Sequence, residues 1–554
     1  MSTFAGIDAA VPTHAQAFAE AIAETGCTHV FSLMGDGNMH LLIALRRRGV
    51  DIVEARHESA AVAMAEGYGW SSGRTGICSV THGPGLTHVA TSLVVAARNH
   101  SPLVLIAAET PAGYQGAQSF DQASFAAACE AVYRRMMPGE SPAGVLGEAI
   151  ALARAELKPV VLGVAADLLA SPVHGTAAAT EMPRVHATPP RPDGAAAAER
   201  LAQLLAESAR PVLIAGRGAM DDVSPGLMRT LAERFGAGLA TTLPAKGLFG
   251  GHFLDLGIAG GLAHPAAERV LRRADLVVAI GAAMGRSTTQ SMRLFADAHI
   301  VKVVRDHEGE GKAESLHGDA AQTLRQVVAL TQSATGDRQP WFIPVGLSSD
   351  CWQEDLRDYA PPIPDGTVDP RRALVDISEH IPEDANVVIS NGHCSGFAAA
   401  FVPAPARGRF YTAQGFGSIG QALTTAIGVA LGAPGHKTVV FEGDAAFMMH
   451  APELDTAARA GANLTVFVLN DQALGTEYQR LKLEGGDADA ALVPPPDVAV
   501  LAGALGARHA TIAAEDAQTL AAEALAPGLA VADVRTARSV LSRHLRLPHT
   551  GAET

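Results

Sequence analysis

Short apolar runs alternate with longer helical patterns along most of this chain. Two of these runs, at residues 438–441 and 464–469, flank one helical pattern, and each is followed by polar residues that include Asp444 or Asp471. An apolar run, a helix and a second apolar run predict a βαβ unit, whose two strands end at the same edge of a parallel sheet. We therefore expect Asp444 and Asp471 to lie side by side, at the edge where open α/β sheets bind ligands.

Two carboxylates at that edge predict a site for a hard divalent cation. Gly443 precedes the helix, so backbone N–H groups at the helix N-terminus can approach a phosphate whose charge the cation neutralises. The alternative interpretation is a sheet with acidic loop ends and no ligand. Short motifs often occur by chance, so this segment alone leaves both interpretations open.

The βα pattern forms three series along the chain. The predicted elements ahead of the central unit are a helix at 14–24 and strands at 29–33, 76–80, 103–107, 211–215, 275–280 and 387–390. A stretch rich in Pro, Thr and Ala at 176–194 and an irregular segment at 336–369 separate the series. We predict an α/β protein with three doubly wound parallel-sheet domains, at 1–175, 195–335 and 369–540.

The composition excludes several classes of protein. Hydrophobic residues make up 48% of the chain and charged residues 18%, which is typical of a compact α/β protein, and the net charge of −15 argues against a nucleic-acid partner. The five cysteines form no C-x-x-C pair, so we expect neither a zinc site nor disulfides. No apolar run is long enough to span a membrane and the N-terminus has no leader pattern, so we expect a cytoplasmic protein without a membrane partner.

A nicotinamide-dependent dehydrogenase is disfavoured. That class needs a G-x-G-x-x-G turn after a strand and an acidic residue at the end of the next strand. Residues 216–221 supply only the first two glycines of such a turn. A match this incomplete is weak support for a dinucleotide site.

Motifs in all three series resemble one enzyme superfamily. Gly443-Asp444-Ala445 followed by Asn470-Asp471 resembles the metal and diphosphate motif of thiamine diphosphate enzymes. In the acetolactate synthase and pyruvate decarboxylase superfamily, residues 55–93 resemble the pyrimidine-binding domain, 274–289 the middle domain and 414–432 the diphosphate-binding domain. The resemblance implies thiamine diphosphate and Mg²⁺, with Ca²⁺ or Mn²⁺ as substitutes, as cofactors.

The resemblance also implies which residues hold the cofactor. The metal ligands are the side chains of Asp444 and Asp471 and the backbone carbonyl of Ala473. The backbone of Gly417 holds the aminopyrimidine, and the bulky side chain of Ile419 supports the bent V shape of the cofactor. The positions implied around the diphosphate are Gly392, His393, Cys394, Gly443, Ala445 and Ala446. Two residues depart from the family pattern, because glycine is usual at Ala445 and asparagine is common at Asp471.

Glu58 falls on the glutamate that the family uses to activate the cofactor. A carboxyl hydrogen-bonded to N1′ of the pyrimidine promotes the imino tautomer that removes the C2 proton. Without the resemblance, Glu58 would be interpreted as a solvated residue at a helix start. The resemblance further implies a homodimer or homotetramer, in which Glu58 of one chain meets the loop around Asp444 of another.

The residues that would contact the substrate favour two different reactions. Asp36 and Glu477 fall where pyruvate decarboxylase-like members carry acids that protonate the intermediate. The paired histidines of those members are absent, and Ser119-Phe120-Asp121-Gln122 is closer to acetolactate synthases. Asp121 and Gln122 are therefore candidate catalytic residues. His82 is a candidate for the missing imidazole, although it is equally consistent with a turn residue.

The resemblance implies cleavage of a small 2-oxo acid. We expect non-oxidative decarboxylation through an enamine intermediate that is protonated to release an aldehyde. The alternatives are a carboligase, in which the enamine joins a second carbonyl, and a non-catalytic paralogue that binds the cofactor. We expect no FAD in the middle domain, because residues 301–312 depart from the Asp-x-Asp-Pro ending of the corresponding strand in the family.

Overall fold

Three parallel β-sheets organise the protein. The computed structural model describes residues 11–111, 113–114, 116–173, 194–304, 313–332, 338–344, 353–404, 408–513 and 517–546. Each sheet of the described chain has six strands, and every strand pairing within the sheets is parallel. Helices connect the strands and cover the sheets. The α/β fold class predicted from the sequence is therefore confirmed.

The first sheet has the strand order β2-β1-β3-β4-β6-β5. Its strands are β1 (His29–Ser32), β2 (Asp51–Glu54), β3 (Gly76–Val80), β4 (Leu103–Glu109), β5 (Val132–Arg135) and β6 (Pro159–Ala165). Its helices are α1 (His14–Glu24), α2 (Met39–Arg47), α3 (Glu58–Ser72), α4 (Pro84–Thr87), α5 (Ala90–Arg98), α6 (Gln122–Ala128), α7 (Pro142–Glu156) and α8 (Ala166–Ala170).

The second sheet has the order β12-β11-β10-β7-β8-β9. Its strands are β7 (Pro211–Ala215), β8 (Gly238–Thr241), β9 (Asp255–Ile258), β10 (Leu276–Ile280), β11 (His299–Val304) and β12 (Glu314–His317). The helices of this region are α9 (Gly194–Glu207), α10 (Ser224–Phe235), α11 (Pro265–Leu271), α12 (Arg286–Thr289), α13 (Ala320–Leu330) and α14 (Gln353–Asp358).

The third sheet has the order β14-β13-β15-β16-β18-β17. Its strands are β13 (Asn386–Ile389), β14 (Phe410–Thr412), β15 (Thr438–Gly443), β16 (Leu464–Asn470), β17 (Arg508–Ile512) and β18 (Ala530–Arg535). Its helices are α15 (Pro370–Ser378), α16 (His393–Phe401), α17 (Gln421–Gly432), α18 (Asp444–His450), α19 (Glu453–Arg459), α20 (Gly475–Leu483), α21 (Val498–Ala504), α22 (Ala517–Leu525) and α23 (Arg543–Arg546).

The strand orders fix where ligands can bind. Strand order reverses between β1 and β3 in the first sheet and between β13 and β15 in the third. At such a switch point the loops after neighbouring strands diverge and leave a crevice at the carboxyl edge of the sheet. The loops after β1, β2 and β3, and those after β13, β15 and β16, carry most of the candidate site residues.

One face of the third sheet shares a hydrophobic core with the first sheet, the other face of the third sheet has a separate core, and the second sheet has its own. Helix α3 of the first domain packs along α17 of the third, and glycines let their backbones approach closely. A Cβ on Gly67 would stand 2.1 Å from the carbonyl oxygen of Thr425, and one on Gly428 would stand 1.9 Å from that of Met64. Glu58, four residues after the end of β2, begins α3, so this packing fixes Glu58 relative to the third domain of its own chain.

One strand is longer than the sequence predicts, and parts of two other predictions lie outside the described residues. Strand β15 extends two residues beyond the predicted 438–441, because Glu442 is fully buried and is held by the hydroxyl of Ser390 and the backbone N–H of Leu423. The domain boundaries stay predictions. The predicted linker up to residue 193, and residues 305–312 of the 301–312 segment used to argue against FAD, lie outside the described residues. In the described ranges, no helix is long and apolar enough to cross a membrane.

Gly428→Ala tests the contact between α3 and α17. Alanine raises intrinsic helix propensity by about 1 kcal/mol over glycine, so a purely local effect would stabilise the protein. The clash with a backbone carbonyl should outweigh that gain, because Met64 O cannot rotate away. We expect the midpoint of thermal unfolding to fall by a few degrees, corresponding to a loss of about 1–3 kcal/mol.

Gly435→Ala is the matched control in the same domain, since no atom lies within 4 Å of a Cβ at that position. It should leave the midpoint nearly unchanged. A Gly428→Ala protein as stable as the wild type would contradict the close packing of the two helices.

Candidate active site

Asp444 and Asp471 lie at the ends of neighbouring strands. Strands β15 and β16 are paired in register with Gly443 opposite Leu469, so the residues that follow both strands emerge at the same level. Asp444 begins α18 and is 1% exposed, and its Oδ2 is buried without a hydrogen-bond partner among the described residues. Burial and the charge of Asp471 raise the pKa of Asp444 to about 8. A buried carboxylate pair of this kind requires a proton or a cation.

Contacts around Asp471 fix its orientation. Its Oδ1 accepts a hydrogen bond from the backbone N–H of Ala473 at 3.2 Å, and its Oδ2 lies 3.6 Å from Nδ1 of His393. The backbone N–H of Ser542 donates to Nε2 of His393, which places the proton of the neutral ring on Nδ1, facing the carboxylate. Gly475 has to be glycine, because a Cβ there would stand 2.6 Å from Asp471 Oδ2.

The loop between β13 and α16 lies against the same strand ends. Gly392 has φ +95°, a conformation that favours glycine, and a Cβ on it would come within 4.0 Å of Ile419. A Cβ on Gly443 would stand 3.3 Å from Sγ of Cys394, whose thiol pKa is raised by burial. Gly392, His393, Cys394, Gly443 and Ile419 are therefore brought together around the two aspartates.

The departure at Ala445 has little conformational consequence. Ala445 and Ala446 occupy the first turn of α18, where the backbone is helical and alanine is favoured. Gly417 has φ +81° in the loop after β14, where it is exposed. The side-chain amide of Asn470 is occupied by a hydrogen bond that it donates to Asp533 at 2.8 Å.

Glu58 lies in a second cluster, at the carboxyl edge of the first sheet. It begins α3, is 8% exposed, and its Oε2 lies 2.8 Å from Nδ1 of His88. The ring of His57 caps α3 by accepting from the backbone N–H of Ser59. Ligand atoms of His57, Glu58 and His88 lie within 4.8 Å of one another, but the cap and the bond to Glu58 already use Nδ1 of both histidines. We therefore interpret this group as a hydrogen-bond network.

Asp36 and His82 meet beside that cluster. Asp36 Oδ1 accepts from the hydroxyl of Thr81 at 3.1 Å and lies 3.9 Å from Nε2 of His82. Asp36 is exposed, whereas His82 is buried and its Nδ1 has no partner among the described residues. A Cβ on Gly37 would stand 2.5 Å from that nitrogen, so glycine at this position makes room for the ring. An exposed carboxylate and a buried imidazole therefore lie together at the carboxyl edge of the first sheet.

The other predicted substrate residues have hydrogen-bond partners or environments of their own. Asp121 caps α6 by accepting from the backbone N–H of Ser124, and Gln122 is buried, with its amide donating to the carbonyl of Ala108. Glu477 is exposed in the first turn of α20 in the third domain. None of these contacts tests a catalytic role, so the roles of Asp121, Gln122 and Glu477 stay predictions.

Sequence reasoning missed the partners of Glu58. His88 follows the short helix α4 and Glu453 begins α19, and no spacing in the sequence connects either residue with Glu58. Glu453 Oε1 accepts from the backbone N–H groups of Arg56 and His57, so the third domain holds the loop that precedes Glu58. The sequence signal for His88 was its place behind the Gly-Pro-Gly turn that ends at Gly85, but that signal does not specify the direction of the ring.

Three family models match the chain in the order of its domains. They are the N-terminal thiamine pyrophosphate (thiamine diphosphate) binding domain at residues 12–128, the central domain at 198–327 and the C-terminal thiamine pyrophosphate binding domain at 390–534 of thiamine pyrophosphate enzymes. The chain belongs to the thiamine diphosphate enzymes. The two domains described as cofactor-binding are those that carry the clusters around Glu58 and around Asp444.

Relatives of this thiamine diphosphate enzyme have different activities. A sulfoacetaldehyde acetyltransferase of Castellaniella defragrans is 25% identical, over 84% of this chain and 82% of the relative. The protein named "Probable 2-ketoarginine decarboxylase AruI" of Pseudomonas aeruginosa is 29% identical, over 89% of this chain and 88% of the relative. The acetolactate synthase isozyme 2 large subunit of Escherichia coli is 28% identical, over 91% of each chain.

The cluster in the third domain fits the cofactor and its metal. The partnerless oxygen of Asp444 and the carboxylate of Asp471 are hard oxygen ligands for a divalent cation. The N-termini of α16 and α18 and the glycines beside them leave backbone N–H groups and space for a diphosphate. The family membership and the local chemistry therefore agree on the kind of ligand.

Asp444→Asn should have opposite effects on metal-free and loaded protein. In the metal-free protein, folded Asp444 holds a proton up to about pH 8 that the unfolded chain releases at lower pH, so stability falls as the pH rises through that window. The amide removes this penalty and should raise the unfolding midpoint at pH 8 by about 2–4 °C.

The same substitution should abolish the increase in that midpoint caused by Mg²⁺ and thiamine diphosphate, because ligands stabilise only the state that binds them. Differential scanning fluorimetry across pH, with EDTA or with both cofactors, measures both effects. Full stabilisation of the variant by the cofactors would contradict Asp444 as a metal ligand.

Proposed function

We propose that this enzyme decarboxylates a 2-oxo acid without oxidation and releases an aldehyde, with thiamine diphosphate and Mg²⁺ as cofactors. The observation that carries the proposal is the pair of Asp36 and His82 beside Glu58. Their separation of 3.9 Å pairs an acid with an imidazole. Thr81, which donates to Asp36, packs against Gly85, the glycine that Glu58 Oε1 faces. Groups of this kind protonate a carbon that has lost CO₂.

Thiamine diphosphate, when bound, supplies a nucleophilic carbon and a ring that accepts the electrons left by departing CO₂. Asp444, Asp471 and the carbonyl of Ala473 hold the cation, and the N-termini of α16 and α18 bind the diphosphate. Glu58 holds a proton at N1′ of the pyrimidine. The burial of Glu58 supports this role, because water that would compete for the proton is excluded.

Asp36 and His82 deliver the proton that ends the reaction. His82 is buried, so its position is fixed, whereas Asp36 is exposed and can exchange protons with solvent. Thr81 donates to Asp36 Oδ1 and orients the carboxylate. Glu477, at the start of α20, supplies a second acid from the third domain.

A second copy of the chain completes the site. Apolar side chains are exposed beside both clusters, namely Met34 at 47%, Phe416 at 45% and Met449 at 55%. Met34 precedes Asp36, Phe416 precedes Gly417, and Met449 lies on the helix that Asp444 begins. Exposed apolar residues that line two complementary halves favour an interface between copies.

A carboligase is the second candidate. Two of the three relatives favour it by name, an acetolactate synthase and a sulfoacetaldehyde acetyltransferase, whereas the third is named a probable decarboxylase. The position of Phe120 beside Asp121 also resembles acetolactate synthases. The two candidates differ only in whether a proton or a second carbonyl captures the intermediate, so product analysis separates them.

The first test is turnover of a panel of 2-oxo acids with and without an acceptor aldehyde. We expect aldehyde as the main product, identified by mass spectrometry, and dependence on both cofactors. Glu58→Gln should retain fold and metal binding but lose turnover by about 10²–10⁴-fold, the usual size of a general acid–base contribution. Normal turnover by this variant would overturn the assignment of Glu58.

Hydroxyketones or acetohydroxy acids as the main products would establish the carboligase instead. Bound cofactor without any product from the panel would favour the non-catalytic paralogue.

Asp36→Asn tests the step that distinguishes the candidates. The amide fills the same space but cannot deliver a proton, so aldehyde formation should fall by about 10²-fold while substrate consumption with an acceptor aldehyde falls less. Asp51→Asn, an exposed aspartate at the opposite end of the first sheet, is the matched control and should change neither rate. An unchanged ratio of aldehyde to carboligation product in the Asp36 variant would contradict this role.

A further inference from the structure

The environment of Glu58 contains a residue to which no role has been assigned. Nδ1 of His88 lies 2.8 Å from Oε2 of Glu58, a distance typical of a charge-assisted hydrogen bond. The other oxygen, Oε1, faces Gly85, 3.8 Å from where a Cβ on that glycine would stand. Among the described residues, no hydrogen bond reaches Oε1. One oxygen of the carboxyl is therefore held and the other is left for a ligand.

The ring of His88 is held in place by a second ring. His57 and His88 are stacked with centroids 4.9 Å apart and planes inclined by 24°. His57 is itself fixed, because its ring Nδ1 accepts from the backbone N–H of Ser59 and its backbone N–H donates to Glu453 Oε1 at 3.0 Å. The imidazole of His88 thus cannot turn away from Glu58 without breaking this stack.

A third histidine ties the stack to the diphosphate-binding domain. The ring of His450 meets that of His57 edge-on, with centroids 6.1 Å apart. His450 is buried on α18, and burial followed by the nearby His57 lowers its pKa to about 4, so it packs as a neutral ring. The orientation of His88 is consequently determined by contacts from both cofactor-binding domains.

We propose that His88 is a positioning residue for Glu58: it donates Nδ1–H to Oε2 and so directs Oε1 toward N1′ of the pyrimidine. The proposal rests on the function proposed above. The donor is His88, because its Nδ1 faces the carboxylate and its ring is half exposed. Nδ1 of His57 is not available, since it caps α3. Without that donor the carboxyl of Glu58 can rotate, and the proton on N1′ is held less well.

The test measures activation of the cofactor apart from substrate. The holoenzyme with thiamine diphosphate and Mg²⁺ is diluted into D₂O without substrate, quenched in acid, and the exchange of the cofactor C2 proton is followed by NMR. His88→Leu should slow this exchange by about tenfold, the effect of losing one hydrogen bond to a charged group. The affinity for thiamine diphosphate, measured by calorimetry, should change by less than about twofold, because the diphosphate cluster is untouched.

Two variants separate positioning from folding. His88→Asn should restore exchange to within about threefold of wild type, since its amide nitrogen occupies the place of Nδ1 and donates the same bond. His29→Leu removes a histidine that faces Asp51 at the opposite edge of the same sheet, 4.0 Å away, and should leave exchange unchanged. Equal unfolding midpoints for the three variants exclude a general loss of structure.

Each of the other outcomes would refute a specific part of the proposal. Fast exchange in His88→Leu together with slow exchange in Glu58→Gln would refute the role of His88 and keep the proposed function. Slow exchange in both His88→Leu and His88→Asn would refute the donor role. An effect of His88→Leu that disappears with a zinc-selective chelator would assign His88 to a metal site with His57 and Glu58 instead. Fast exchange in Glu58→Gln would refute the proposed function itself.

Discussion

The rest of the candidate site depends on one interaction, the repulsion between two carboxylates at the ends of adjacent parallel strands. Asp444 is almost completely buried with one oxygen unpaired, and Asp471 lies close enough to raise its pKa further. Among the described residues, no group donates to Asp444 Oδ2, and His393 contacts only Asp471 of the pair. A divalent cation would neutralise the two carboxylates, and its charge would in turn attract a diphosphate. The rest of the cluster, with its glycines and two helix N-termini, is built to admit such a ligand.

The shared core of the first and third domains gives the second constraint. Close packing of α3 on α17 through Gly67 and Gly428 fixes the start of α3, where Glu58 lies. Glu453 and His450 then hold the loop before Glu58 from the third domain. The carboxyl of Glu58 is thus positioned by long-range packing. A change in the fit of these two helices would reach the pyrimidine half of the site without touching any residue that contacts the cofactor.

Much of this arrangement could be predicted from the sequence. The apolar periodicity predicted the parallel sheets. The strand ends predicted at residues 441 and 469 indicated that Asp444 and Asp471 would lie side by side, since parallel strands end at the same edge. Resemblance was needed for Glu58, whose surroundings alone suggest a helix start. The contacts of His88, His57 and Glu453 could not be predicted, because they join residues far apart in the chain through side-chain directions that no local pattern encodes. Whether the product is an aldehyde could not be predicted from the sequence for a similar reason, since it depends on the orientation of Asp36 and His82 toward the substrate.

The most direct measurement is calorimetric titration of thiamine diphosphate into the purified protein, with Mg²⁺ and again with EDTA. The account predicts saturable binding with Mg²⁺ that is lost or greatly weakened by EDTA, because the aspartate pair repels a diphosphate unless a cation lies between them. Binding of equal strength in EDTA would contradict the metal site at Asp444 and Asp471. Absence of binding under both conditions would contradict the central claim that the two clusters hold this cofactor.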